Sequence, residues 1–292
     1  MSDTFMARPR RDVRTFLSFV KFEHTLFALP FAYAGMVLAA RGWPGLATFA
    51  WITVAMVGAR TAAMAINRVV DARIDARNPR TADREIPTGR LTRRDGIALA
   101  IVGFALLGVA GWALNPLTAA LLPVAALFLI LYPWTKRVTW ACHAWLGVTI
   151  GAAAAGGAIA VTGRFDVEAV LLWVAVGAWI AGFDVIYALL DLEFDREHAV
   201  HSVPARFGVR RALAISAGAH VVASAALLAL GAVSPLGWPY LVVVSLGVVP
   251  LLVAQQLLVR RRGAGAALRA FNANLWVSAL VLIGVALDLA RS

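Results

Sequence analysis

The sequence predicts an all-α, polytopic membrane protein with nine transmembrane helices. Three observations predict it. Hydrophobic residues make up 61% of the 292 and charged residues 15%, and the mean hydropathy is +0.78. Soluble domains run nearer half apolar and a quarter charged. Apolar stretches of about 20 residues recur along the chain, each long enough to cross the ~30 Å hydrocarbon core. Basic residues also segregate to alternate loops, as they do in membrane proteins.

The expected spans are 16–40, 46–75, 95–114, 117–135, 139–162, 167–192, 207–232, 236–259 and 268–290. Their breaks have local causes. Gly42-Trp43-Pro44, Asn115-Pro116 and Ser234-Pro235 are turn signals. Thr162-Gly163-Arg164 closes the fifth span, and Arg260-Arg261-Arg262 followed by Gly263 closes the eighth. The basic start does not read as a cleavable leader, because Glu23 and His24 interrupt an apolar region that then runs on too far. No stretch is long enough for a separate soluble domain, so residues 1–292 read as one unit with a basic segment at 1–15. The single cysteine, Cys142, excludes an internal disulfide and a multi-thiolate metal site.

Arginines set the expected orientation. Arg8, Arg10, Arg11 and Arg14 place the N-terminus in the cytoplasm. The loop after the second span is then also inside, with Arg77, Arg80, Arg84, Arg90, Arg93 and Arg94. Of 27 Lys and Arg, only Arg41, Arg164 and Arg291 fall on the other side. The net charge of +11 is thus read as membrane asymmetry and not as a nucleic-acid surface. Trp43, Trp134, Trp140 and Trp238 read as interfacial anchors.

Two carboxylate pairs stand out against this apolar background. Asn67-x3-Asp71-x3-Asp75 ends the second span and Asp191-x3-Asp195 ends the sixth. Both spans are even-numbered, so both pairs emerge on one side. Residues four apart share a helix face, which makes each pair a two-carboxylate prong. The face of the second span extends back to Arg60, and that of the sixth to Asp184 and Tyr187. Oxygen ligands without thiolates suit Mg2+, which takes one or two carboxylates, water and substrate phosphate oxygens. Arg68, Arg80, Arg84 and Lys136 lie near the same side and suit an anionic ligand. The plain alternative is a set of solvated aspartates partnering Arg73 and Arg77.

These residues resemble the UbiA superfamily of intramembrane prenyltransferases. Asn67, Asp71 and Asp75 match its first motif, which continues through Arg77-Asn78-Pro79-Arg80-Thr81-Ala82-Asp83-Arg84-Glu85-Ile86-Pro87-Thr88-Gly89. Asp191 and Asp195 match its second motif, and Tyr132 and Lys136 match its Tyr-x3-Lys motif. The resemblance implies nine helices around a central chamber that opens to the cytoplasmic side of an inner or plasma membrane. It implies transfer of a polyprenyl group from an allylic polyprenyl diphosphate, in contact with membrane lipid, to an aromatic acid acceptor. Asn67, Asp71, Asp75, Asp191 and Asp195 would hold Mg2+, two ions in this family, on the diphosphate. Arg80, Arg84 and Lys136 would neutralise it, and Tyr132 would face the allylic cation. The family's Arg-x-Asp-x-Pro pattern in the first helix reads Lys21-Phe22-Glu23-His24-Thr25 here.

Further segments resemble a subgroup of 4-hydroxybenzoate-type enzymes: 21–30, 182–187, 193–198 and 202–208. That subgroup also serves the futalosine-type route to menaquinone, whose acceptor is 1,4-dihydroxy-6-naphthoate. The resemblance favours the naphthoate slightly; residue physics does not separate the two acids. Glu23 and His24 are candidates to orient the acceptor, and Asp184 is a candidate partner for the intramembrane Arg60. His143 and His220 read as structural, and His198 and His201 as solvated loop residues. The run Gly151-Ala152-Ala153-Ala154-Ala155-Gly156-Gly157 reads as close helix packing in preference to a tail groove. A transporter with an aspartate ion pathway is the alternative class. It would place its charges at midplane near broken helices.

Overall fold

A computed structural model describes residues 13–21 and 25–291; Glu23 and His24 lie outside them. The described residues contain helices and turns and no strand. Helices α1 (Val13–Phe19) and α2 (Thr25–Ala40) precede the long α3 (Leu46–Asp75). Then come α4 (Arg93–Leu114), α5 (Pro116–Thr135), α6 (Cys142–Thr162) and α7 (Val167–Tyr187). A tight turn, Ala188–Asp191, leads into the short α8 (Leu192–Glu197). The chain closes with α9 (Val203–Val233), α10 (Trp238–Val243), α11 (Val249–Arg262) and α12 (Ala267–Leu289). Among the described residues, eight helical stretches are long and apolar enough to cross a membrane, and α2 is a shorter apolar helix. The chain is an integral multi-pass membrane protein.

Caps written into the sequence explain most boundaries. Thr92 and Asp95 form a reciprocal capping box at the start of α4, and Asn115 and Thr118 form another at α5 with Pro116 in its first turn. Asp166 caps α7 and Ser202 caps α9. Three expected spans differ. The span 167–192 leaves α-helical geometry after Tyr187, so Asp191 ends the tight turn Ala188–Asp191 and Asp195 lies on α8. The span 16–40 does not run on as one helix, since α1 ends at Phe19 and Lys21 takes a left-handed φ of 49°. The span 236–259 is interrupted by a wide turn at Val244–Val248. Pro250 stands two residues beyond Val248, and a proline has no N–H to give the preceding turn and crowds its carbonyl.

Helix α7 is the axis of the bundle. Leu172, Ala175, Val176, Trp179, Ile180 and Phe183 are all buried there, packed with residues of α2, α9 and α12. Elsewhere the surface is apolar: Trp112, Leu246, Val221 and Trp276 are each at least 65% exposed. Such a surface belongs in hydrocarbon. Trp43, Trp134, Trp140 and Trp238 are also exposed, whereas Trp179 is core. The end where α3 and α7 begin closes with Arg41 on Glu168 at 2.9 Å and with the Asp288 carboxylate accepting from the backbone N–H groups of Gly237 and Tyr240.

The small-residue run on α6 does two things. Gly157 packs against the Ala32 carbonyl of α2, and a Cβ on Gly151 would stand 2.7 Å from Trp173 O of α7. Between these contacts, Ala152, Ala153 and Gly156 line an apolar cavity of about 240 Å3, together with Ala55, Met56 and Ala59 of α3. The run is therefore packing on one side and cavity wall on the other. Gly157→Val is expected to destabilise the folded protein by about 1–3 kcal/mol through overpacking. Gly156→Ala has open space around its Cβ and is expected to leave the melting temperature within about 2 °C. Thermal unfolding in detergent checks both.

Candidate functional site

The ends of α3, α5 and α7 meet on one side of the bundle, and the loop 76–92 folds over them. Three of the expected carboxylates are matched there by cations. Asp71 is fully buried, bonded by Lys136 Nζ and by Arg137 Nη2 at 3.2 Å. Asp75 Oδ1 accepts from Arg84 Nη1 at 2.7 Å, while its Oδ2 is buried with no partner. Asp191 accepts from Arg80 Nε at 2.8 Å and from Asn78 Nδ2 at 2.9 Å. Asp195 is buried, with Asp191, Lys136 and His143 in electrostatic range. Asn67 is half-buried on α3, one turn before Asp71.

The loop is held by its own bonds. Asn78 Oδ1 accepts from the Arg80 backbone N–H at 2.9 Å, Thr81 Oγ1 donates to Asp75 O, and Glu85 accepts from Ser18 of α1 at 2.8 Å. Arg80 also donates to the Tyr187 hydroxyl at 3.0 Å and lies over its ring. Burial works against the charged Arg80, but the bonds to Asp191 prevail and its pKa stands above the ordinary arginine value. Arg80 is thus a permanent cation at any working pH.

The structure brings Asp71, Asp75, Asp191, Asp195, Arg80, Arg84, Lys136 and Tyr187 to one end of the bundle. Tyr132, on α5, is in electrostatic range of Asp71, Asp184 and Arg60. Arg68 is buried behind the cluster, 2% exposed: its Nε donates to Phe19 O of α1 at 3.4 Å, with Asp71, Asp75 and Glu85 in electrostatic range. The expected Arg60–Asp184 pair does not form. Asp184 is instead held by His143 Nδ1 at 2.7 Å, whose Nε2 accepts from Val203 N–H. Pairing across separate helices leaves no spacing to read, so His143 had no such signal. Two contributors were also not singled out, Asn78 and Arg137. Their signals are position alone: one sits in the loop after the first motif, the other beside Lys136. His201 contributes its backbone: its N–H donates to Lys136 O at 2.7 Å and its carbonyl accepts from Cys142 Sγ at 3.4 Å.

The carboxylates of Asp71, Asp75, Asp191 and Asp195 offer oxygen donors, which fits a hard divalent cation. No three carboxylate, histidine or cysteine side chains among the described residues converge closely enough to hold one by themselves. The unpartnered Oδ2 of Asp75 and the incomplete cluster suit an ion that shares its shell with a ligand's oxygens.

A cluster of matched charges at the end of a lipid-embedded bundle suits an anionic head group whose tail stays in the membrane. That defines a class: membrane-embedded enzymes acting on lipid-like anions. Residues 28–279 match the UbiA prenyltransferase family, and the chain belongs to it. A 4-hydroxybenzoate octaprenyltransferase of Methylobacillus flagellatus is 32% identical over 257 residues, covering 86% of this chain and 84% of the relative. A UbiA homologue from Aeropyrum pernix K1, solved in its apo form, superposes with a TM-score of 0.83 at 34% identity over 91% of this chain and 98% of that one. A UbiA homologue from Archaeoglobus fulgidus bound to GPP and Mg2+ shares the fold, with a TM-score of 0.69 at 17% identity over 94% and 99% of the two chains. Family membership sets aside the transport alternative.

Removing Arg84 leaves the buried Asp75 carboxylate without a hydrogen-bond donor. Arg84→Ala is expected to cost about 1–3 kcal/mol, and Asp75→Asn in the same chain to recover part of it. Unfolding of the single and double variants measures the coupling.

Proposed function

We propose that the chain transfers a polyprenyl group from an allylic polyprenyl diphosphate to an aromatic carboxylic acid, in a Mg2+-dependent reaction at the cytoplasmic face. The observation that carries this is the interlock of Asp71, Asp75 and Asp191 with Lys136, Arg137, Arg84 and Arg80. A diphosphate entering with its metal can exchange all these pairs at once. Its oxygens would take the guanidinium and ammonium groups, and the freed carboxylates, with Asn67 and Asp195, would be the residues that hold Mg2+. Fork-shaped arginines suit phosphate oxygens. Bound Mg2+ would supply charge stabilisation on the departing diphosphate.

The residues around that site do the rest. Arg80, Arg84, Lys136 and Arg137 hold positive charge where the leaving group gathers negative charge. Tyr132 and Tyr187 offer ring faces to a cationic prenyl fragment. The apolar cavity on α3 and α6 receives the tail and keeps water from capturing that fragment. The matching relatives are named for 4-hydroxybenzoate, which supports that acid as acceptor. The segments 21–30, 182–187, 193–198 and 202–208 favour 1,4-dihydroxy-6-naphthoate as the second reading. Either product is a step toward a respiratory quinone.

Mass spectrometry of products tests this on purified protein in liposomes, with a polyprenyl diphosphate and each acid. Prenylated acid is expected with Mg2+ and none with EDTA. Asp71→Ala and Asp191→Ala are each expected to lower turnover by about 10²-fold or more while the protein stays folded. Full turnover in either variant with EDTA present would refute the metal-assisted reading.

A further inference from the structure

Asp184 is a carboxylate within a membrane span that the head-group cluster leaves unused, and an ionisable residue in such a place marks function by default. Its Oδ2 accepts from His143 Nδ1 on α6 at 2.7 Å. The Val203 backbone N–H donates to the other ring nitrogen, Nε2, at 3.2 Å. That bond occupies the Nε2 lone pair, so the ring hydrogen sits on Nδ1 and the imidazole is neutral. The other oxygen of Asp184, Oδ1, accepts no bond among the described residues. It is not sealed either, for the side chain is 24% exposed while that of His143 is 6% exposed. A carboxylate kept for packing alone has its oxygens satisfied in most structures.

The open side of Asp184 has a definite direction. Tyr187 follows three residues later, so the two share a face of α7. Phe183, Val185 and Ile186, on the other faces, are at most 7% exposed. Tyr187 meets Arg80 at the cluster, and Tyr132 stands in electrostatic range of Asp184 from α5. Asp191 follows seven residues later, which sets Asp184 about 10 Å deeper along the axis. The free oxygen therefore opens just beneath the diphosphate end of the site, beside the two rings that would flank a cationic prenyl fragment. Alkylating the ring of a phenolic acid releases one proton. Asp71, Asp75 and Asp191 each face a cation, whereas Asp184 faces the neutral His143.

We infer that Asp184 is the general base of the transfer, taking the phenolic proton of the acceptor on Oδ1, and that His143 is the positioning residue that aims it. The inference rests on the proposed transferase reading and adds the group that moves the proton. The bond from the allylic carbon to the diphosphate oxygen breaks, and its electron pair leaves with the diphosphate. A ring carbon ortho to the hydroxyl uses a ring electron pair to bond the allylic carbon, while Oδ1 accepts the hydroxyl proton. The resulting dienone regains its aromatic ring when Asp184 returns that proton to the oxygen and takes the one on the alkylated carbon. Asp184 sheds the ring proton as diphosphate and prenylated acid depart. The His143 bond to Oδ2 keeps the carboxylate from turning away between these transfers.

The test compares the full-length protein in liposomes with Asp184→Asn, His143→Ala and His143→Gln. The acceptors are 4-hydroxybenzoate or 1,4-dihydroxy-6-naphthoate, whichever wild type prenylates, and the same acid carrying a ring chlorine, whose hydroxyl is more acidic. Asp184→Asn is expected to lower kcat for the parent acid by about 10²-fold, with an unchanged KM for the prenyl diphosphate. Relative to wild type, the chlorinated acid should lose about 10-fold less, because a more acidic hydroxyl needs the base less. That ratio between acceptors does not depend on how much of a variant folds. His143→Ala should show the same pattern more weakly, and His143→Gln, which keeps an N–H donor, should recover part of the loss. Equal losses on both acceptors, full turnover in Asp184→Asn, or a raised KM for the diphosphate overturns the inference alone. His143→Gln no better than His143→Ala overturns the positioning role. Wild type that prenylates neither parent acid overturns the transferase reading and this inference with it.

Discussion

Carboxylates at the edge of a hydrocarbon slab stay ionised only if something positive stands against them. In this protein that something comes from other parts of the chain. Lys136 and Arg137, just past α5, reach Asp71 on α3; Arg80 and Arg84, in the loop after α3, reach Asp191 and Asp75. Three helix ends that share little apolar contact are thereby tied together by charge. Buried ion pairs of this kind contribute little net stability, since desolvation offsets attraction. Their value lies in placing four cations and at least three carboxylates in one small volume with each group already oriented.

The same neutrality explains how the site accepts substrate. A pocket of bare aspartates would repel a diphosphate, and a pocket of bare arginines would hold it too firmly to release it. An interlock that opens by exchange avoids both extremes. Below it the lining turns apolar, because α6 faces the cavity mostly with alanine and glycine, joined by Val148, Thr149 and Ile159. The head of an amphipathic substrate and its tail are thus served by adjacent parts of the same helices.

Much of this was legible in the sequence because its causes are local. The capping residues Thr92, Asn115, Asp166 and Ser202 sit where polar residues interrupt apolar runs, so α4, α5, α7 and α9 begin within a few residues of expectation. The i, i+4 aspartates announce a shared face, and span parity puts both pairs at one end. What was not legible is non-local. Asn78 and Arg137 act only because a loop folds back and a helix ends nearby, and His143 meets Asp184 across two helices. The break near Lys21 and the wide turn before Pro250 are backbone events inside apolar runs, where hydropathy has no voice. The α6 small-residue run was read as packing alone, because a sequence does not show which of its two sides another helix covers.

The exchange of partners is the central claim, and anomalous diffraction tests it most directly. Crystals would be grown with Mn2+ in place of Mg2+ and a non-hydrolysable prenyl thiodiphosphate. The account predicts anomalous peaks bounded by Asp71 and Asp75 on one side and Asp191 and Asp195 on the other, with Arg80, Arg84 and Lys136 moved onto phosphate oxygens. Peaks away from both aspartate pairs, or a diphosphate bound while the salt bridges of the unliganded protein persist, would contradict it.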